Sequence, residues 1–394
     1  MTIPIVTLKP GKEQSLNRFH PWIFSGAINF VSQELEEGEL VRVVSSKQDF
    51  LAIGHYQIGS IAIRIVSFED VAIDAAFWEK KLLEALNLRR ALGLLGSEQT
   101  NVFRLIHGEG DGMPGLIVDF YNGTAVYQAH SVGMYHIRYE LAELLKKLMG
   151  DSLIAVYDKS DKTLPFKADI QPENGYLLGS SGPGVVKEYG LSYHVDWIEG
   201  QKTGFFIDQR ENRKLVEHFS KGRDVLNMFC YSGGFSFFAM QGGAKLVHSV
   251  DSSAKAIELT NQNVALNFKD DQRHEAFAAD AFDFIRDMKN CYDLIILDPP
   301  AFAKHRGALR PALQAYKRLN AKAFEQIRSG GVLFTFSCSQ VVSKDQFREA
   351  VFSGAAISGR KVRILHQLHQ PADHPVNIYH PEGEYLKGLV LYID

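Results

Sequence analysis

The sequence predicts an α/β protein whose C-terminal part is a parallel sheet flanked by helices, preceded by a small β-rich module and a central α+β segment. Strand and helix patterns alternate from about residue 212 onward, and that alternation implies a parallel sheet with helices on its faces. Residues 1–70 carry only short apolar runs between glycine-containing turns. A length of 394 residues also exceeds one ordinary domain. The expected divisions are 1–72, 73–190 and 191–394.

In the first module the apolar-rich runs are 5–8, 40–44, 50–55 and 60–66, separated by turns near Gly11, Gly38 and Gly54. Residues 72–95 change to helical spacing of apolar residues. A strand at 103–105, a glycine-dense turn at 108–115 and strands at 116–121 and 124–130 follow, then an amphipathic helix over 136–149. Residues 156–193 return to strand and turn, with Gly179, Gly182 and Gly184 marking a loop. The C-terminal rhythm then runs helix 212–218, strand 224–229, helix, strand 246–250, helix 254–266, strand 276–279, strand 292–297, helix 312–327 and strand 331–336. There is no internal repeat and no low-complexity linker.

Composition removes several classes of function. Hydrophobic residues at 45% and charged residues at 23% are ordinary for a folded domain and argue against disorder. The net charge of −3 supplies no global attraction to nucleic acid, so any polyanion contact must come from a local patch. No apolar run is long enough to span a membrane, and the opening residues lack the apolar stretch of a secretory signal. The three cysteines, Cys230, Cys291 and Cys338, lie far apart without a CxxC. That pattern excludes a disulfide framework and a cysteine zinc site, implies no other metal, and is expected of a cytoplasmic protein.

The ends of the C-terminal strands carry the chemistry, because ligands of parallel sheets bind at carboxyl ends where the winding reverses. The first strand runs into Phe229-Cys230-Tyr231-Ser232-Gly233-Gly234-Phe235-Ser236, whose paired glycines permit close approach of a ligand to backbone. The next strand ends in Asp251, placed to accept from ribose hydroxyls. The third ends in Asp280-Ala281, where the acid suits an adenine amino group. Glycine turn, acid and acid in succession suit an adenosyl ligand; a purely conformational turn is the bland alternative for the glycines alone. The pattern lacks the GxGxxG that a dinucleotide pyrophosphate wants. S-adenosylmethionine, which has no phosphates, fits better.

The fourth strand ends Leu297-Asp298-Pro299-Pro300-Ala301-Phe302-Ala303-Lys304. Two prolines stiffen the exit and remove two donors, holding Asp298 at the mouth of the crevice, where it suits the amino edge of a flat base. The fifth strand ends Ser337-Cys338-Ser339. Methylation of carbon 5 of a pyrimidine needs a nucleophile that first adds to carbon 6, and Cys338 is the expected thiolate. Its bland alternative is a buried thiol packed as a small hydrophobe, which is the reading for Cys230 and Cys291. Residues 302–324 hold Lys304, Arg306, Arg310, Lys317, Arg318 and Lys322 with no acid. Of these, Lys304, Arg306 and Arg310 are the expected phosphate contacts.

Several motifs in order make the chain resemble the bacterial 23S (large-subunit) ribosomal RNA cytosine-5 methyltransferases that carry an N-terminal PUA domain. They are His20-Pro21-Trp22-Ile23-Phe24-Ser25-Gly26, Gly108-Glu109-Gly110-Asp111-Gly112-Met113-Pro114-Gly115 and Gly204-Phe205-Phe206-Ile207-Asp208-Gln209-Arg210-Glu211-Asn212-Arg213. Asp298-Pro299-Pro300-Ala301-Phe302, Ser337-Cys338-Ser339, Asp373-His374-Pro375 and Tyr385-Leu386-Lys387-Gly388-Leu389 complete the set. The resemblance implies an RNA-binding PUA domain at 1–72, a central α+β domain, and a Rossmann-like class I S-adenosylmethionine-dependent methyltransferase domain from 191. It also implies that Phe206, Asp208, Gln209 and Arg210 join Phe229, Tyr231, Ser232, Gly233, Gly234, Asp251, Asp280, Ala281, Asp298 and Pro299 around the cofactor. Its substrate would be large-subunit ribosomal RNA; no membrane is implied, and a homodimer is among the assemblies left open. Two features depart from related enzymes: Ala301 stands where many RNA cytosine-5 methyltransferases have a second cysteine, and residues 1–70 hold six Lys/Arg against eight Asp/Glu. Two other readings stand beside this one: an RNA guanine-N methyltransferase, which would not need Cys338, and a non-catalytic RNA-binding ribosome assembly factor.

Overall fold

The computed structural model describes residues 3–165 and 170–394. Residues 166–169, within the stretch expected as strand and turn, lie outside the described residues. Two compact units emerge: one comprises 1–186, 195–207 and 372–383, the other 187–194, 208–371 and 384–394. Among the described residues no helix is long and apolar enough to cross a membrane.

The first unit opens with β1 (Ile5–Leu8), β2 (Trp22–Phe24), β3 (Ile28–Val31), β4 (Leu40–Val44), β5 (Phe50–Tyr56) and β6 (Ile61–Ser67), in sheet order β2-β6-β5-β4-β1-β3. Its core is the inward set Val6, Leu8, Ile23, Val41, Val43, Ala52, Ile63 and Ile65. Four of the six strands were expected. β2 and β3 are three and four residues long and are separated only by the 3-10 turn Ser25–Ala27, so they offer too little alternation to read as strands.

The unit continues with α1 (Ala75–Ala91), β7 (Val102–His107), β8 (Leu116–Tyr121), β9 (Thr124–Ala129), α2 (Val132–His136), α3 (Arg138–Met149), β10 (Ala155–Asp158) and β11 (Gly175–Leu178). The strands form a sheet in the order β11-β10-β9-β8-β7. Asp74 starts α1 by accepting from the Phe77 amide at 3.0 Å. The helix buries Trp78, Leu82 and Leu86 in one core with Leu141, Leu145, Phe103, Val118 and Tyr127. The single helix expected over 136–149 is two helices, because Ser131 caps an earlier start and Ile137 leaves helical geometry.

The glycine-dense turn is built around a buried ion pair. Asp111 takes both Arg89 terminal nitrogens, at 2.6 and 2.8 Å, and the His107 amide at 2.6 Å. Arg89 is fully buried and also donates to the carbonyls of Arg104 and Asp373, each at 2.8 Å. Gly110 is required here: a Cβ would lie 1.9 Å from the Pro375 carbonyl oxygen. Residues 372–383 are therefore integral to this unit although they follow most of the other one in sequence.

A hairpin, β12 (Gly184–Glu188) and β13 (Leu191–Val195), precedes the second unit's main sheet. That unit contains α4 (Arg210–Phe219), β14 (Asp224–Met228), α5 (Gly234–Gln241), β15 (Leu246–Asp251), α6 (Ala254–Asn267), β16 (His274–Ala278), α7 (Ala281–Phe284) and β17 (Leu294–Leu297). It ends with α8 (Leu309–Gln326), β18 (Gly331–Ser337), α9 (Lys344–Ser358), β19 (Val362–Leu368) and β20 (Lys387–Ile393). The sheet order is β16-β15-β14-β17-β18-β20-β19, the first five parallel and the last two antiparallel. Every residue of β17 and β18 is buried, as expected of central strands covered by helices on both faces. The winding reverses between β14 and β17, which sets the crevice at their carboxyl ends. α9, β19 and β20 were not anticipated from sequence; β19 is exposed along most of its length and has no apolar alternation to reveal it.

Candidate active site

Because β14 to β18 are parallel, their carboxyl ends share one edge of the sheet. That edge collects Phe229–Gly234 after β14, Asp251 at the end of β15, Asp280 after β16, Asp298 after β17 and Cys338 after β18.

The turn after β14 is held in an uncommon conformation. Phe229 and Tyr231 adopt left-handed backbone angles (φ 60° and 49°) and Gly233 a third (φ 81°). Left-handed residues other than glycine store strain and cluster at binding sites. Several bonds enforce the shape. The Cys230 amide donates to the Val250 carbonyl at 3.1 Å, Thr260 Oγ1 to the Tyr231 carbonyl at 2.9 Å, and Asn263 to the buried Ser232 carbonyl at 3.1 Å. Below the turn runs a buried chain of side-chain bonds, Asn227 to Ser236 (2.9 Å), Ser236 to Ser249 (2.7 Å) and Ser249 to His274 (2.8 Å). A Cβ on Gly233 would approach Thr260 and the Phe237 ring to 2.7–2.8 Å. Gly233 caps α5 without a side-chain acceptor, so the first amides of that helix have no side-chain cap.

The two acids are partly engaged. Asp251 accepts from the Tyr231 amide (3.0 Å) with one oxygen and the Ser253 amide (2.9 Å) with the other. A carboxylate offers about four acceptor sites, so it can brace the turn and still accept from a ligand. Asp280 is exposed and caps α7 through one oxygen, which accepts from the amides of Phe282 (2.8 Å) and Asp283 (3.1 Å); Ala281 beside it is buried.

In the segment before α4, Asp208 is buried and accepts from the Tyr385 hydroxyl at 2.8 Å. Gln209 is buried and accepts from Asn212 at 2.6 Å, and buried Arg210 donates to Glu211 at 3.1 Å. Phe206 belongs to the first unit, where Lys202 lies 4.3 Å over its ring.

The register Leu297↔Thr335 brings the exits of β17 and β18 side by side, so Asp298 and Cys338 leave neighbouring strands. Asp298 is half-buried and Pro299 buried. The Tyr316 hydroxyl on α8 accepts from Ser337 Oγ at 2.9 Å. Burial pushes the Tyr316 phenol up to about 12, with the nearby Cys338 and Asp298 adding to the rise. A residue that sequence reasoning left out of the site stands on the other side: Lys387, on β20, is buried and donates to the carbonyls of Ser339 and Val342, each at 2.6 Å. Burial lowers its ammonium to about 8, and Cys338 is the largest charge favouring the protonated form. In the sequence it stood only within the motif Tyr385-Leu386-Lys387-Gly388-Leu389, with no role attached to it.

The three thiols differ in kind. Cys230 is buried and its thiol is pushed up to about 12, chiefly by burial, which makes it inert packing. Cys291 was expected to pack but is exposed, because it lies in the turn before β17 rather than in the strand. Cys338 is half-exposed at the strand edge. Lys304, Arg306 and Arg310 are all exposed between β17 and the start of α8, and among the described residues none of the three forms an ion pair.

Comparison with known proteins bears on this arrangement. The family model for S-adenosylmethionine-dependent methyltransferases matches residues 178–380, and that for PUA-like domains matches residues 6–68. The chain is 39% identical over 98% of its length to ribosomal RNA large subunit methyltransferase I of Alteromonas mediterranea, covering 98% of that protein. It is 38% identical to the protein of the same name from Tolumonas auensis, again over 98% of both. Its fold matches a solved Streptococcus mutans chain described as an S-adenosylmethionine-dependent methyltransferase. The TM-score is 0.83 at 23% identity, over 99% of this chain and 100% of that one.

Proposed function

The chain belongs to the ribosomal RNA large subunit methyltransferase I family of S-adenosylmethionine-dependent methyltransferases, and from that premise we propose that it methylates carbon 5 of a cytosine in large-subunit ribosomal RNA through a covalent adduct at Cys338. The observation that carries the reading is the half-exposed Cys338 thiol on the strand exit next to Asp298, with the buried Lys387 ammonium close to it.

Cofactor fit rests on the turn after β14. Its left-handed residues and the α5 amides lacking a side-chain cap suit the amino-acid end of S-adenosylmethionine. Asp251 would accept from the ribose hydroxyls and Asp280 from the adenine amino group. Phe229, Tyr231, Ser232, Ala281 and Pro299 would line the pocket, with Asp208 and Gln209 just before α4 and Arg210 at its start contributing. When bound, the cofactor supplies an electrophilic methyl group on a sulfonium.

Asp298 would accept from the cytosine 4-amino group and hold the ring beside Cys338. The thiolate then adds to carbon 6, forming a carbon–sulfur bond and giving carbon 5 the electron pair it needs to take the methyl group. Loss of the carbon 5 proton restores the double bond and expels the thiolate. Ala301 has no titratable group, so that proton leaves to a base or water other than residue 301. Lys304, Arg306 and Arg310 would contact RNA phosphates. Mass-spectrometric mapping of ribosomal RNA from cells with and without the gene tests the proposal. One large-subunit cytosine should lose its methyl group, and unchanged cytosine methylation would overturn it.

Lys387 acts in this reading as a positioning residue whose charge favours the thiolate. Lys387→Met is expected to slow methyl transfer by about 10- to 100-fold at neutral pH, since each tenfold loss of thiolate costs about 1.4 kcal/mol. The sign follows from its lowered ammonium. The charge is present below about 8 and lost above it, so the ratio of wild-type to variant kcat/KM should narrow as pH rises through that value. A ratio independent of pH would mean that Lys387 only packs. Lys387→Arg should retain most of the activity.

A further inference from the structure

The His20-Pro21-Trp22-Ile23-Phe24 motif lies in the first unit and takes no part in the chemistry above. Its histidine meets two residues from the far end of the sequence. His20 Nε2 lies 3.6 Å from one Glu382 oxygen, and His380 Nε2 lies 3.7 Å from the other. One donor atom from each residue falls within 4.8 Å of the others. We propose that His20, His380 and Glu382 bind a divalent transition-metal ion, zinc by preference, that clips residues 377–383 to the N-terminal module.

Two observations support this. The separations are too long for good hydrogen bonds yet close to the ~3.4 Å between two ligands of one tetrahedral ion with bonds of about 2.1 Å. His380 is 3% exposed, and among the described residues neither of its ring nitrogens has a hydrogen-bond partner. A buried imidazole with both nitrogens unsatisfied is costly, and a metal bond would satisfy one of them.

The surroundings hold the set in place. His20 Nδ1 lies 3.2 Å from the Trp22 amide and 3.3 Å from the Trp22 carbonyl, which fixes the ring with Nε2 turned toward Glu382. The Trp22 ring packs edge-on against His380 at 4.2 Å, and its indole N–H is anchored on Glu109 at 2.8 Å. Backbone bonds from the His380 amide to the Asn377 carbonyl (2.8 Å) and from the Gly383 amide to the His380 carbonyl (3.1 Å) shape the turn that presents His380 and Glu382 together. Two histidines and a carboxylate are a common zinc set, and among first-row ions such nitrogen and oxygen donors favour the later ones. Glu382 is 51% exposed, so a fourth position faces solvent and would take water.

The test uses the metal-stripped full-length protein titrated with zinc against a chromogenic chelator, and separately with cobalt to read the visible bands of a four-coordinate ion. Wild type should bind one equivalent. His380→Asn and Glu382→Gln should each weaken binding at least about 100-fold, beyond what loss of a supporting contact costs. Glu382→Gln changes an exposed side chain and serves as the variant whose fold is secure; circular dichroism confirms it for both. The proposal is overturned if wild type binds no stoichiometric zinc, or if Glu382→Gln binds it as wild type does.

Discussion

Replacing Cys338 with alanine is expected to reduce methyl transfer by at least about 10³- to 10⁴-fold while leaving cofactor affinity unchanged. In the proposed reaction carbon 5 of cytosine has no useful nucleophilicity until a sulfur has added to carbon 6, so no other group can replace the thiol. Cys338 lies just beyond β18 and is half-exposed, so alanine removes one sulfur without opening a core cavity. Equilibrium binding of S-adenosylhomocysteine checks that the cofactor pocket survives. RNA carrying 5-fluorocytosine supplies the sharper measurement. Fluorine cannot leave as a proton does, so the wild-type adduct should persist through denaturing electrophoresis and vanish in Cys338→Ala. An enzyme acting on a guanine nitrogen would keep most of its activity without the thiol, and a non-catalytic assembly factor would show none in either form. Trapping that persists in Cys338→Ala would place the nucleophile elsewhere.

Asp111→Ala is expected to destabilise the first unit by about 3–5 kcal/mol, the range for removing one partner of a buried ion pair. Arg89 and Asp111 have side chains 0% and 3% exposed. Without the carboxylate the guanidinium keeps its bonds to the Arg104 and Asp373 carbonyls but loses its counter-charge, and the His107 amide loses its acceptor. Urea unfolding followed by circular dichroism should show an earlier transition for this unit. Asp70→Ala, which removes the exposed partner of Arg42, should change little, since solvent screens such pairs. The double variant Arg89→Met/Asp111→Leu should recover much of the loss, because an apolar pair of similar size avoids burying charge. A single-variant effect no larger than that of Asp70→Ala would show that the pair contributes little.

The parallel sheet was legible because its central strands are mostly apolar and because the candidate site residues follow those strands directly. Gly233, Asp251, Asp298 and Cys338 could each be placed by counting from a strand end. Asp280 was found the same way, although its strand runs only to Ala278. Residues that come from the next layer were invisible to such counting. Tyr316 reaches the site from inside α8 and Lys387 from an antiparallel strand, and neither spacing nor composition pairs them with Cys338. The Asp111 turn was read through its glycines, whereas the structure gives its acid the central part. His20 and His380 stand 360 positions apart, so no spacing rule for metal ligands could join them.

The return of residues 372–383 to the first unit bears on how the protein must be made. During synthesis the Arg89 side chain and the Arg104 amide emerge long before Asp373, whose carbonyl and carboxylate they bond at 2.8 and 2.9 Å. The early half can collapse on the ribosome but cannot reach its finished form until position 383 has been translated, after most of the methyltransferase sheet. A nascent chain stalled before that point would carry an unclosed N-terminal half. Dissecting the protein for separate expression meets the same obstacle, because a cut at residue 186 discards a segment the first unit needs.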